Sequence, residues 1–301
     1  MIEALTGAIL PIFAVMAAGF VLGLRGVVGQ AAPAGINRFV LLLAVPALLF
    51  SILAAADLSA LDPRRLGAYL AGEATVYAAG FLIARFGFGR GGAESLLLGF
   101  AAAFVNHVLF VLPVARGLYG DAAAAPIAAI ITIDALVTFP LTVMGMEILS
   151  GGRRGAGAVA RQVLLNPMLL APVAGLAVNL AGIGLHPGIG RFVDFAGAAA
   201  APAALFALGV TLSGSDLRRF GGVSVSIAAL SVAAHPLIVF GIDRAAGDDG
   251  AAAALMVTLA AGPCGAMPYA LASFYGAPAH SIAKAIVLST AASLLTLSAL
   301  A

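Results

Sequence analysis

The chain has 301 residues, 62% of them hydrophobic and only 9% charged, with a mean hydropathy of +1.12. A water-soluble domain coats itself with roughly 25% charged residues, so this composition excludes an ordinary soluble enzyme and leaves lipid as the main solvent. The formal charge of +2 gives no electrostatic footprint for nucleic acid, and a lone cysteine, Cys264, excludes an internal disulfide and a cysteine-rich metal site.

A stretch of about 20 apolar residues crosses a bilayer core. Backbone groups in lipid must be satisfied within the segment, so the spans are helices. In chain order ten are predicted, at about 4–24, 37–56, 66–86, 95–118, 122–149, 163–183, 192–212, 222–242, 251–274 and 279–300. The first follows Met1-Ile2-Glu3 without a basic leader and reads as a retained span rather than a cleaved signal. Abundant Gly and Ala suit close helix packing in a membrane. The largest polar interruption, Gly151 to Gly157 with Arg153 and Arg154, divides the chain near its middle.

The two halves resemble each other. Ile36-Asn37-Arg38-Phe39-Val40 of span two echoes Ile189-Gly190-Arg191-Phe192-Val193, and Pro46 to Phe50 echoes Pro202 to Phe206. In span four Pro113 precedes Tyr119-Gly120, and in span nine Pro268 precedes Tyr275-Gly276. The expected organisation is a first repeat at 1–150 and a second at 158–301. An odd number of spans per repeat inverts the second copy, and inverted repeats mark secondary transporters. Odd-numbered loops carry ten Lys and Arg against five in the even ones. The excess predicts cytoplasmic odd loops and both termini outside.

Transporters of this kind place substrate near the midplane, where paired helices are interrupted. Spans four and nine are the candidates, with Asn106-His107 before Pro113 in one and Gly262-Pro263-Cys264 before Pro268 in the other. Interrupted helices expose N-terminal N–H groups that attract anions without a buried base. Glu73, His107, Asp134 and His235 are polar exceptions in apolar runs. Such residues commonly serve transport or proton relay. Asp134 is the deepest acid, with a protonated structural role as the alternative; Glu73 has the same two readings. His107 either bonds substrate or caps broken backbone. His235 precedes Pro236 and reads as a packing residue, and Glu147 as a snorkelling one.

Gly35 to Val40 with Ala44-Val45-Pro46, Asn106 seven residues before Pro113, and Pro263 with Pro268 and Tyr275 together resemble the auxin efflux carrier family. That family includes PIN-type auxin carriers and bacterial malonate or malate carriers. The resemblance implies an all-α polytopic fold like that of the bile-acid sodium symporters. Spans one, two, six and seven would form a scaffold, and spans three to five and eight to ten a transport domain with spans four and nine crossing at their breaks. It also implies elevator-type alternating access. By position, Asn106 would contact a substrate carboxylate, Pro263 would mark the crossover, and Pro46 to Ser51 would line the scaffold side. Glu73 falls at a family acid, but Tyr77 stands where plant carriers show lysine, and Asp134 where they show an amide. The short central loop lacks the regulated loop of plant exporters, so hormone transport is not implied.

The expected function is therefore a secondary carrier for a small mono- or dicarboxylate. The substrate site draws on Asn106, His107, Gly262, Pro263, Cys264, Pro46 and Ser51, with Pro113, Pro263 and Pro268 as crossover or hinge positions. The alternative is a sodium- or proton-coupled symporter of another solute class, with Asp134 and Glu73 as coupling residues. An intramembrane enzyme is disfavoured, because H-E-x-x-H and a plausibly placed G-x-S-x-G are missing. No cofactor beyond a coupling ion, proton or sodium, is expected. The expected setting is a bacterial-type inner membrane, with a homodimer through the scaffold helices by analogy alone.

Overall fold

A computed structural model describes residues 14–57, 62–149, 165, 167–214 and 220–300. The expected start of span one, the glycine-rich segment 151–157 and the loop arginines Arg161, Arg218 and Arg219 lie outside the described residues.

The described residues are helical and contain no strand beyond one isolated bridge. In order the helices are α1 (Ala14–Leu24), α2 (Ala32–Ala54), α3 (Pro63–Gly87), α4 (Gly92–Ala103), α5 (Leu112–Tyr119), α6 (Ala125–Leu149), α7 (Pro167–Leu180), α8 (Pro187–Ser213), α9 (Gly222–Ala245), α10 (Ala251–Ala260), α11 (Met267–Tyr275) and α12 (His280–Leu300). Six of these, α2, α3, α6, α8, α9 and α12, have stretches long and apolar enough to cross a bilayer. Their outward side chains are apolar: Phe195 is 85% exposed and Ile148 74%. Such a surface is stable against lipid and not against water. The chain is accordingly a multi-pass α-helical membrane protein.

Two helices begin five residues earlier than the hydropathy reading placed them. α2 starts at Ala32 with Pro33 in its first turn, and α8 at Pro187, where His186 Nδ1 accepts the Gly188 N–H at 3.2 Å. Proline is pre-organised for a first helical turn. Arg191, just outside the predicted span, therefore sits inside a helix, and Arg38 lies well within α2.

Four of the helical prolines are accommodated in the same way. A wide turn closing i→i+5 bonds occupies Val40–Ala44, His107–Val111, Asp134–Thr138 and Leu230–Ala234. Pro46, Pro113, Pro140 and Pro236 each stand two residues beyond such a turn. Proline lacks an N–H and its ring clashes with the carbonyl four residues back. Widening the preceding turn relieves both problems without ending the helix.

The chain forms two compact units. One comprises 61–127 and 216–301, the other 11–60 and 128–215. Within the first, α3 and α4 meet closely, and a Cβ on Gly99 would lie 2.6 Å from the Tyr77 carbonyl oxygen. Arg65 and Asp248 form an ion pair at 2.7 Å there, and the guanidinium holds the half-buried Asp248 carboxyl below its usual range. That pair is present at neutral pH and is lost as the pH falls through the lowered value.

Within the second unit, the end of α2 is gripped by α7 and α8. A Cβ on Gly175 would lie 2.5 Å from the Phe50 carbonyl oxygen, and one on Gly197 2.9 Å from Leu48 Cα. Asn179 Nδ2 donates to the carbonyls of Leu53, Ala54 and Ala56 at 2.9, 3.3 and 2.8 Å. These are carbonyls of the kind that a helix end leaves without partners. Asn179→Ala is expected to lower stability by about 1–3 kcal/mol, read as a lower thermal unfolding midpoint in detergent.

Candidate functional site at the crossing of two interrupted helices

α4 ends at Ala103 because Phe104 turns extended, with φ −75° and ψ 95°. Helix resumes at His107 and continues through α5. Likewise α10 ends at Ala260 and α11 begins at Met267. The two gaps pair with each other. Asn106 N–H donates to the Pro263 carbonyl at 2.8 Å, and Gly265 N–H donates to the Phe104 carbonyl at 2.7 Å. Val105 and Cys264 thus oppose each other as one antiparallel bridge. These bonds satisfy backbone groups that a helix would otherwise have satisfied, as burial requires.

Glycine makes the pairing fit. A Cβ on Gly262 would lie 2.5 Å from Val105 Cγ1, and one on Gly265 2.6 Å from Phe104 Cδ1. Two serines pin the second gap. Ser289 Oγ on α12 accepts the Cys264 N–H at 3.0 Å and donates to the Ile286 carbonyl at 3.0 Å. Ser231 Oγ on α9 donates to the Gly262 carbonyl at 3.3 Å. Both serines are fully buried. Ser289→Ala would orphan the Cys264 N–H and is expected to cost about 1–3 kcal/mol, measured by thermal unfolding. Sequence reading missed these serines. Their only signal was polarity inside apolar spans, which Ser and Thr show often by bonding back to their own helix, as Thr290 does to Ile286.

Two helical N-termini start at this crossing, the turn at His107 leading into α5, and α11 at Met267. The first N–H groups of a helix have no intrahelical acceptor. Ala266 caps α11 without a side-chain bond among the described residues, and Pro268 lacks an N–H. Partial positive charge therefore converges here without a cationic side chain in either gap. The chemistry available is the holding of an anion.

The other sequence candidates are placed as follows. Asn106 is half-buried and His107 is 2% exposed, with Nε2 2.8 Å from the Tyr69 hydroxyl. Gly262, Pro263 and Cys264 are buried in the second gap. The first gap lies at 104–106, ahead of Pro113, which sits in the first turn of α5. Pro268 occupies the first turn of α11. Glu73 on α3 is 4% exposed, in the same unit as the crossing. Pro46, Ser51 and Asp134 belong to the other unit. There Pro46 is buried, Ser51 donates to Asp194 Oδ1 at 2.5 Å, and Asp134, 3% exposed, opens a wide turn.

A family model described as a membrane transport protein matches residues 4–157 and 152–301. The chain is also similar to the "Putative malonate transporter" of Rhizobium meliloti (strain 1021), at 28% identity over 78% of this chain and 75% of that one. It is similar to the "Uncharacterized transporter" of Methanothermobacter thermautotrophicus (strain Delta H), at 26% identity over 97% of this chain and 96% of that one. The family and these relatives are named as transporters rather than enzymes. The paired helix gaps and the motifs of spans two, four and nine lie within residues the family model matches, and the chain belongs to the membrane transport protein family, that of the auxin efflux carriers.

Proposed function

We propose that this protein is a secondary carrier of a small organic anion, with a mono- or dicarboxylate held at the helix crossing. The single observation that carries this reading is the backbone pairing of the gaps at 104–106 and 261–266. It holds two helical N-termini at one place in the membrane interior, where a carboxylate can accept from their N–H groups. Asn106 and His107 contribute side chains on one gap, and Gly262, Pro263 and Cys264 form the other. Pro46 and Ser51, which belong to the other unit, are carried over from the family resemblance as scaffold-side residues. The name of the Rhizobium relative supports malonate as the first substrate to try.

The helix order supports ten spans in two inverted repeats, with α4 and α5 together as the fourth and α10 and α11 together as the ninth. The carrier moves by an elevator mechanism in a bacterial-type inner membrane, with both termini outside and two copies paired through scaffold helices. Crossing of the fourth and ninth spans supports that reading, and so does the grouping of spans three, four, eight, nine and ten in one compact unit, although most of span five, 128–149, groups with spans one, two, six and seven instead. The test is radiolabelled malonate exchange in proteoliposomes. Saturable counterflow between equal pools is expected, and its absence across small mono- and dicarboxylates would contradict the proposal.

Coupling to a proton or sodium ion is the second reading, favoured by two carboxyl residues buried in apolar surroundings, Glu73 at 4% and Asp134 at 3% exposure. Asp134→Asn is expected to flatten any pH dependence of transport, because an amide has no acidic proton to exchange. An unaltered profile would make Asp134 structural.

A further inference from the structure

Within the unit that contains the crossing, Tyr69 on α3 holds two imidazoles. Its hydroxyl lies 2.8 Å from His107 Nε2, and its ring centroid lies 4.9 Å from that of His235 on α9, tilted by 55°. The three side chains are 0, 2 and 0% exposed for Tyr69, His107 and His235. The two histidines differ in what they bond. The His107 ring lies against the Leu259 backbone, and its Nε2 shares a hydrogen bond with the Tyr69 hydroxyl. Neither nitrogen of His235 has a hydrogen-bond partner among the described residues. The Tyr69 backbone approaches its ring but outside hydrogen-bond geometry.

Packing alone gives no reason for an imidazole at position 235. A buried polar group left unsatisfied costs about 1–3 kcal/mol, and an aliphatic or phenyl side chain would fill the space without that cost. The surroundings are shaped to the ring: a Cβ on Gly72 would lie 3.1 Å from His235 Cδ2, 3.4 Å from Nε2 and 2.9 Å from Val239 Cγ2. A metal cation such as sodium would need several oxygen ligands, which this close contact does not offer. A proton needs only a lone pair. On α3 the neighbouring ionisable groups are Tyr69, Glu73 and, farther along, Arg65 and Tyr77; on α9 itself they are Asp243 and Arg244 beyond the far turns. The α10 helix brings none and the first gap brings His107, while α12 and α4, which also pack on α9, bring His280 and the buried Lys284, and the buried Glu94. Glu73, next to Gly72 in sequence and buried, is the acid at this level of α3.

We propose that Tyr69, His107 and His235 form a proton-binding site in which His235 takes up the proton and Glu73 supplies the counter-charge, so that a proton travels with the cargo. This rests on the carrier reading above. A proton from one aqueous side bonds to a lone pair on a His235 ring nitrogen, giving an imidazolium. It offsets one negative charge of the anion during the crossing and returns to water on the other side, with no change in electron count.

The experiment uses the full chain in proteoliposomes with labelled malonate as probe and a trapped pH dye. Malonate counterflow without a gradient reports carriage alone. Accumulation under an imposed gradient of about one pH unit, with dye acidification, reports the proton. One proton per cargo drives up to about tenfold accumulation, the equivalent of about 1.4 kcal/mol. His235→Gln keeps polarity without a basic ring nitrogen, and His235→Phe keeps a ring against Tyr69. Both are expected to retain counterflow and to lose the accumulation and the acidification. Variants that exchange malonate and still accumulate it with acidification overturn the proposal. Wild-type protein that exchanges malonate yet moves no proton overturns it too, while leaving the carrier reading intact. Wild-type protein without counterflow overturns both.

Discussion

Gly265→Val is expected to abolish transport and most of the folded yield. A Cβ at this position would lie 2.6 Å from Phe104 Cδ1 and 3.0 Å from the Phe104 carbonyl oxygen. That oxygen is the acceptor of the Gly265 N–H. A branched side chain must therefore push the gaps apart, break one or both backbone bonds and leave their groups without partners. Overpacking costs about 1–3 kcal/mol and each orphaned buried polar group about 1–3 kcal/mol more. The total is comparable with the whole stability of an ordinary domain, about 5–15 kcal/mol. Fluorescence-detected size exclusion reads the folded fraction and malonate uptake reads the rest. Normal yield with normal uptake would show that the close pairing at Gly265 is not required.

Asn106→Ala is expected to separate binding from folding. The bridge is made by the Asn106 backbone, whose N–H goes to Pro263 and whose carbonyl accepts from Phe110 and Val111 at 3.2 and 3.1 Å. Alanine keeps all of these. What it removes is the amide side chain, which is half-buried at the gap. A hydrogen bond to a charged partner is worth about 1.5–3 kcal/mol, so affinity for malonate should fall roughly 10- to 150-fold with membrane abundance unchanged. Unchanged affinity would remove Asn106 from the site.

Much of this was legible because membrane helices announce themselves by length and hydropathy. Six of the ten predicted spans coincide with helices long and apolar enough to cross a bilayer, and the other four fall on shorter apolar helices. The interruptions were legible in kind: Gly262-Pro263 lies in one gap and Asn106 in the other. Their exact location was not. Pro113 suggested a break, yet the chain absorbs it with a wide turn at His107–Val111, and the gap falls upstream at Phe104, where no proline stands. The break there is set by pairing with residues some 160 positions away, Asn106 with Pro263 and Phe104 with Gly265. No local pattern encodes such pairing. His235 was read as a packing residue, and its ring does pack on Tyr69 and Gly72. That its nitrogens lack partners depends on neighbours from α3, which sequence spacing does not reveal.

The account depends on an anion being held where the gaps at 104–106 and 261–266 pair. A structure of the protein with bound malonate tests this most directly. It should place a carboxylate within about 2.7–3.2 Å of the Asn106 amide or of the first N–H groups of the helices that start at His107 and Met267. A carboxylate bound elsewhere, with the crossing residues making no contact to it, would contradict the account.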